Sequence, residues 1–560
     1  MNDQQKHKLK SIILVLVLSL ALSIIVLDTT LLNVSLSAII KDLDTNLQNI
    51  QWVITAYALT LTSLTILGGR LGDIFGRRKM FITGAIIFAV GSFITSISQN
   101  IATMIIGESI IEGIGAALMM PATMSILISR FQGRSRALAL GIWGGVAGAS
   151  AALGPIVGGY LTTHYSWRWG FRINIFVAII LVTSAIFVIG NNKNDRRKMK
   201  LDWTGIVLST LGLLFFVFAI IEASTFGWFF ETRVAHLGTS AISMPFGLSF
   251  VPVCMLIGII LLTIFAYWEN KLEKHDTKIP LVSLQIFKNK PFSSGVGVMA
   301  IVALGQSGII FALPVFFQSV RGFTALETGL SLMPMSIMLL FIAPLGGYLS
   351  GRVRPRLLIQ IGMIVQFLGL IVLRSTFSVD ATSSDFIIPL MLIGLGMGLV
   401  FSQITNLAMI DIKNEEAGEA SGINSTMRQL GATLGSALIG SILLTVLASN
   451  ITSGIMNSDK IPEQYKAQVI SAAKAQSSGV EFGGIKNDGS NIPVQVKKEI
   501  VEVTHQATVT GNKAALATSA IVALFGFFIS FILPNIDKIT HKKPEEIAIG
   551  SDVPFYAIET

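Results

Sequence analysis

Charge is scarce in this sequence, and so is cysteine. Only 13% of its 560 residues are Asp, Glu, Lys or Arg, about half the share usual in soluble domains. With 52% hydrophobic residues and a mean hydropathy of +0.70, that shortage excludes a soluble globular chain and describes a polytopic membrane protein. The single cysteine, Cys254, lies in an apolar run, so no intramolecular disulfide can form. Six histidines form no cluster with it, which argues against a structural metal site. No Gly-x4-Gly-Lys-Ser/Thr stretch, Ser/His/Asp arrangement or metal-ligand spacing is present, so the chain reads as neither ATP-driven nor an enzyme.

What is abundant is long apolar runs. They fall at about 11–33, 52–69, 80–98, 101–122, 137–161, 169–190, 203–223, 246–267, 292–317, 327–350, 356–376, 386–410, 422–449 and 513–534. About 20 apolar residues cross a bilayer as a helix, so these are fourteen predicted spans of an all-α protein. The first follows Lys6, Lys8 and Lys10 as a signal peptide would, but no small-residue cleavage site follows it, so it reads as an uncleaved first helix. Basic residues gather in alternate connections. One set holds Arg70, Arg77, Arg78 and Lys79, then Arg130, Arg134 and Arg136, then Lys193–Lys200; the short loops of the other set hold only Lys41, Arg168, Arg172, Arg233, Arg321 and Arg374. The positive-inside rule puts the basic set and both termini in the cytoplasm. The net charge of +9 therefore implies no nucleic-acid partner.

The most specific stretch is Gly69-Arg-Leu71-Gly-Asp73-Ile-Phe-Gly76-Arg77-Arg78-Lys79, which reads as a short basic loop between spans two and three. Asp73 is its only acid and can pair with an arginine or a helix N-terminus. The pattern resembles the loop between helices two and three of the major facilitator superfamily, where it implies a latch that opens and closes with transport. A weak echo, Gly347–Arg356, lies 278 residues later and lacks the acid, having Gly351 in its place. It suggests six helices, two extra, then six more, with a substrate site between the halves.

Ionisable groups inside spans are costly and usually functional. Asp28 stands late in the first span, in Leu27-Asp-Thr-Thr-Leu-Leu-Asn33-Val-Ser35. Asp28 and Ser35 share one helix face. Glu108 and Glu112, four apart in the fourth span, share a face too, so one of the pair is expected to stay protonated. Glu222, closing the seventh span, is a weaker proton candidate.

The Asp28 segment is similar to the first-helix motif of the fourteen-helix drug:proton antiporter branch of that superfamily, matching at Asp28, Thr30, Asn33 and Val34. The resemblance implies that Asp28 takes part in proton coupling and binds cationic drugs. In the fourth span the branch usually has Arg-x-x-Gln-Gly. Here Ser109 replaces the Arg and Glu112 the Gln, which leaves Glu108 and Glu112 to take over the proton route.

The fifth span carries Gly148, then Gly154-Pro155-Ile-Val-Gly158-Gly159. Small residues four apart permit close helix approach, and Pro155 removes a backbone donor. The arrangement resembles the antiporter motif of proton-driven exporters.

Expected domains are a six-helix bundle at 1–190, two linker helices within 191–290, five helices of the second bundle at 291–449, a partly helical outer loop at 450–512, a last span at 513–534 and a cytoplasmic tail at 535–560. The loop is expected to carry a helix at 462–475, a Gly/Asn/Ser-rich break at 477–491 and a second helical stretch at 494–508. The resemblance implies a monomeric, multi-pass protein of a prokaryotic plasma membrane. It would need no cofactor beyond the proton gradient and would export lipophilic, cationic compounds. An exporter of one endogenous solute (an amino acid, lipid or siderophore) fits the same motifs. A non-transporting membrane sensor is the reading from another class.

Overall fold

The computed structural model describes residues 3–45, 47–190, 202–231, 235–237, 240–242, 245–275, 280–466, 470 and 493–535. Fourteen helices in it are long and apolar enough to cross a membrane. They are α1 (Asp3–Asp42), α2 (Leu47–Phe75), α3 (Arg77–Ser96), α4 (Ile101–Arg130), α5 (Gly133–His164), α6 (Arg168–Val188) and α7 (Trp203–Phe226), followed by α8 (Val251–His275), α9 (Lys290–Ser319), α10 (Ala325–Leu349), α11 (Pro355–Thr376), α12 (Ile387–Ala408), α13 (Ala417–Met456) and α14 (Val494–Ile529). Every expected span is present. Between α7 and α8 lie a two-stranded antiparallel hairpin, β1 (Ala235–Leu237) with β2 (Ser240–Ile242), and an isolated bridge between Phe230 and Leu248.

Two boundaries differ from the sequence reading. The basic stretch after Gly69 is not a loop. Helix α2 continues through it to Phe75 and α3 starts at Arg77, so Gly76 alone makes the turn, at φ 100°. A side chain is strained at that φ, which is why glycine stands there. At the far end, α13 extends past 449 to Met456, and the helical stretch expected within the loop at 494–508 is the start of α14. The expected outer loop is therefore shorter than 450–512. Within it, only 463–466 and 470 of the helix expected at 462–475 are described as helical. The break expected at 477–491, the basic run 191–201 and the tail from 536 lie outside the described residues.

The echo of the basic motif has a structural counterpart. Gly69 of α2 lies against the backbone of Gly418 at the start of α13. Gly347 of α10 lies against Ala137 and Leu138 at the start of α5, where an added Cβ would come 2.6 Å from the Ala137 carbonyl oxygen. Each half thus lends one glycine to a backbone-to-backbone crossing with the other, at the same place in its repeat. Both crossings lie at the basic end of the bundle.

Candidate functional site

The first site is a group of acids. Asp28 on α1 and Glu108 and Glu112 on α4 are fully buried, and one carboxylate oxygen from each lies within 4.8 Å of the others. Helix geometry explains part of this. Residues 105–112 form a π-helix turn inside α4, a rare local widening that tends to occur at functional sites. Gly91 of α3 permits it: a Cβ there would meet the backbone N of Glu112 at 2.6 Å and the carbonyl of Gly107 at 2.7 Å. The two chain segments therefore touch backbone to backbone at the π turn.

The acids have few donors. Asn174 of α6 donates from Nδ2 to Asp28 Oδ1 at 2.7 Å and to Glu112 Oε1 at 3.1 Å. Ser92 of α3 donates to the same Glu112 oxygen at 2.6 Å. Asp28 Oδ2, Glu112 Oε2 and both oxygens of Glu108 have no protein partner, nor does the buried hydroxyl of Tyr57 on α2. No arginine or lysine pairs with the group among the described residues. Two unit charges 4.8 Å apart repel by about 3.5 kcal/mol at an effective dielectric near 20. Three carboxylates so placed can share protons or hold a cation.

The acids and their donors come from α1, α3, α4 and α6, with Tyr57 added from α2. The group is enclosed within the first six-helix bundle rather than lining the seam between the halves. Glu222 on α7 is buried apart from it. The side chain of Asn33 lies outside the described residues. Asn174, Ser92 and Tyr57 complete the site, and their place beside the acids is not legible in the sequence, since it depends on packing between separate helices.

The second site is the basic motif, where Arg70, Asp73 and Arg77 are buried while Phe75 and Lys79 are exposed. Asp73 is buried and accepts the backbone N–H of Gly418 at 3.1 Å and of Glu419 at 2.9 Å. A carboxylate thus caps the N-terminus of α13, where the helix dipole favours it. Arg77 bonds Asp73 Oδ1 at 3.3 Å and the carbonyl of Asn414. Arg70 pairs with Glu419 at 2.9 Å and bonds the Pro280 carbonyl; Glu419 in turn accepts from the Ser283 N–H. Arg78 instead reaches the carbonyl of Ile186 on α6 at 2.8 Å. Leu71 and Gly72 continue α2 without joining this network. Glu419 gives no hint of its part in the sequence, because its partner lies 349 residues away.

The family pattern described as Major Facilitator Superfamily matches residues 18–287 and 253–436. The chain belongs to that superfamily. It is a multi-pass membrane transporter and not an enzyme. It is 27% identical over 538 residues to the tetracenomycin C resistance and export protein of Streptomyces glaucescens, covering 95% of this chain and 93% of that one. To the multidrug transporter protein MdtP of Bacillus subtilis it is 27% identical over 546 residues, covering 96% and 95%. Among solved structures, the human organic anion transporter MFSD10 superposes with a TM-score of 0.55 at 10% identity, covering 95% of this chain and 100% of that one. At that identity the likeness is one of fold alone.

Within this superfamily frame, the glycines of α5 have separate tasks. A side chain at Gly154 would run into Thr30, two residues from Asp28, and one at Gly158 would come 3.0 Å from Leu31. These two glycines let α5 lie on the acid-bearing stretch of α1. Gly148 and Gly159 face α10 instead, against Leu339 and Leu326. Pro155 faces α10 as well: a Cβ added at Gly329 would lie 2.9 Å from its Cβ. The motif is therefore a two-sided strip joining α1 to the opposite half.

Proposed function

We propose that this transporter exports lipophilic drugs by exchange for protons, and that Asp28, Glu108 and Glu112 carry the protons. The observation that supports this most is their enclosure together, with two neutral donors and no basic partner. Charge in that pocket is costly, so proton number and conformation depend on one another. The strip from Gly148 to Gly159 touches both the acid-bearing helix and the second half, which gives the coupling a physical route. The relatives named for multidrug transport and antibiotic export support a drug-like cargo and the outward direction. Direct attraction of cationic drugs by Asp28 is the expectation from its motif. Its burial inside the first bundle leaves that preference without support, and the reading is of a lipophilic cargo.

The test is drug-driven proton movement in proteoliposomes, with Asp28→Asn, Glu108→Gln and Glu112→Gln compared with the wild type. Reduced proton movement per drug molecule, or a displaced pH profile, is the expected outcome in each variant. Unaltered coupling in all three, or transport that follows a sodium gradient and ignores pH, would defeat the proposal.

A further inference from the structure

With the acids enclosed, a cation stands at mid-depth between the halves. Arg428 stands eleven residues into α13 from Ala417, about 16 Å at 1.5 Å per residue. Its Nη2 contacts Sδ of Met120 on α4 at 3.9 Å, and among the described residues no carboxylate pairs with it. One turn nearer the basic end, Asn424 Nδ2 contacts Sδ of Met124 at 3.7 Å. Two polar side chains of one half thus rest on two thioethers of the other. Thioethers are weak acceptors that pack well against aromatic rings. They leave most of the five guanidinium donors unmatched.

There is also room beside Arg428. Gly431 and Gly435 of α13 press on the backbone of Ala300 and Leu304 of α9, a constant offset of 131 residues. The same offset carries Arg428 to Gly297. That glycine lies on the α13-facing side of α9, since 297, 300 and 304 fall on one helical face. A Cβ added at Gly297 would meet nothing within 4 Å. The helices touch tightly at the two levels above and stand free at the level of the arginine.

Resting on the transport reading above, we propose that Arg428 is the substrate-binding cation of the seam. The cargo class is then a lipophilic aromatic compound with an acidic oxygen, a carboxylate or phenolate. The guanidinium would hold the oxygen by charge-assisted bonds, a geometry that Arg supplies and Lys does not. Met120 and Met124 would meet the rings. Eight residues of α4, about 12 Å, separate Met120 from Glu112. Cargo and proton positions are therefore distinct places on one rod.

The experiment measures binding of two aromatic dyes to the purified full-length protein, without a gradient: fluorescein, an anion, and ethidium, a cation. The wild type should bind fluorescein. Arg428→Gln should weaken that binding about tenfold or more, the loss expected for a charged hydrogen bond, while Arg428→Lys weakens it less. Gly297→Leu, which fills the adjoining space, should also weaken it. Arg428→Gln should keep the wild-type thermal transition and elution volume, which shows that the variant is folded. Undiminished fluorescein binding by Arg428→Gln, or a wild type that takes ethidium but not fluorescein, overturns the proposal. Either result leaves proton coupling untouched. Conversely, coupling lost or kept in the acid variants says nothing against fluorescein binding.

Discussion

Arg70 and Glu419 form a buried ion pair, Nη1 to Oε2 at 2.9 Å, across the seam between the two halves of the transporter. Both side chains are at most 4% exposed. Removing one partner of such a pair strands the other charge, which typically costs about 3–5 kcal/mol. That cost falls only on the conformer in which the basic ends meet. Glu419→Ala should therefore shift the population towards the conformer open at that end. A cysteine placed at Ser421, buried in the present seam, reports the shift in a Cys254→Ala background. Faster labelling in the Glu419→Ala variant is expected, and equal rates would show that the pair does not hold this end shut.

Asp73 acts through geometry as well as charge. Its two oxygens cap Gly418 and Glu419 separately. In Asp73→Asn one oxygen becomes an amide that donates, so it must face an N–H that also donates. The variant should stay folded and in the membrane, with transport reduced at least about tenfold, the value of one charged bond of this sort. Transport at the wild-type rate by well-inserted Asp73→Asn would remove the latch from the cycle.

The strip on α5 predicts a clash that the sequence does not suggest. At Gly329, an added Cβ would lie 2.9 Å from Pro155 Cβ and 3.1 Å from the backbone N of Ile156. Backbone cannot yield as a flexible side chain does. Gly329→Val should therefore prise α10 from α5 and abolish drug transport without preventing insertion. Pro155→Ala restores a backbone donor while keeping the Cβ of this contact, and is expected to loosen coupling so that protons move without drug. Both are read as the ratio of proton to drug flux in vesicles. A ratio unchanged in Pro155→Ala would deny the strip a coupling role.

Asn174 ties Asp28 to Glu112. Asn174→Leu removes the donor shared by two buried acceptors, a loss of roughly 1–3 kcal/mol for whichever acid is ionised. Without its donor the ionised form is disfavoured, so the pH at which drug binding releases protons should move upwards. Titration of proton release against pH, comparing Asn174→Leu with the wild type, checks this. No displacement would mean that Asn174 only packs.

A smaller effect is expected at the opposite end. Asp42 follows the first span and accepts from Arg168 and from Trp167 Nε1. The Arg168 guanidinium holds its carboxyl below the usual carboxylate range, where 3.8 is ordinary. A depressed carboxylate stabilises the fold above its unfolded value, and the benefit is lost as pH falls through its folded value. The pair is partly exposed, so its worth is under about 1 kcal/mol. Asp42→Asn should lower the melting temperature slightly at pH 7 and by less near pH 2. An equal difference at both would mean that charge is not involved.

The sequence by itself determined the fourteen spans, because 13% charge and long apolar runs allow nothing else, and backbone polar groups in lipid must be satisfied within helices. It also determined which residues were suspect. An acid in a span is conspicuous, so Asp28, Glu108 and Glu112 stand out by residue type and place alone, as does Asp73 among its arginines. What the sequence could not show was which way those residues face. Asp28 and Glu112 lie in separate helices, and only the approach of Gly91 to the π turn and the reach of Asn174 bring them together inside one bundle. The buried network around Asp73 needed Glu419 and the N-terminus of α13, hundreds of residues away. Arg428 lies inside a predicted span, but only packing sets Met120 beside it, with no carboxylate paired to it among the described residues. Local propensity is written along the chain. Partnership across a seam depends on helix rotation and register, which are fixed only when both halves pack.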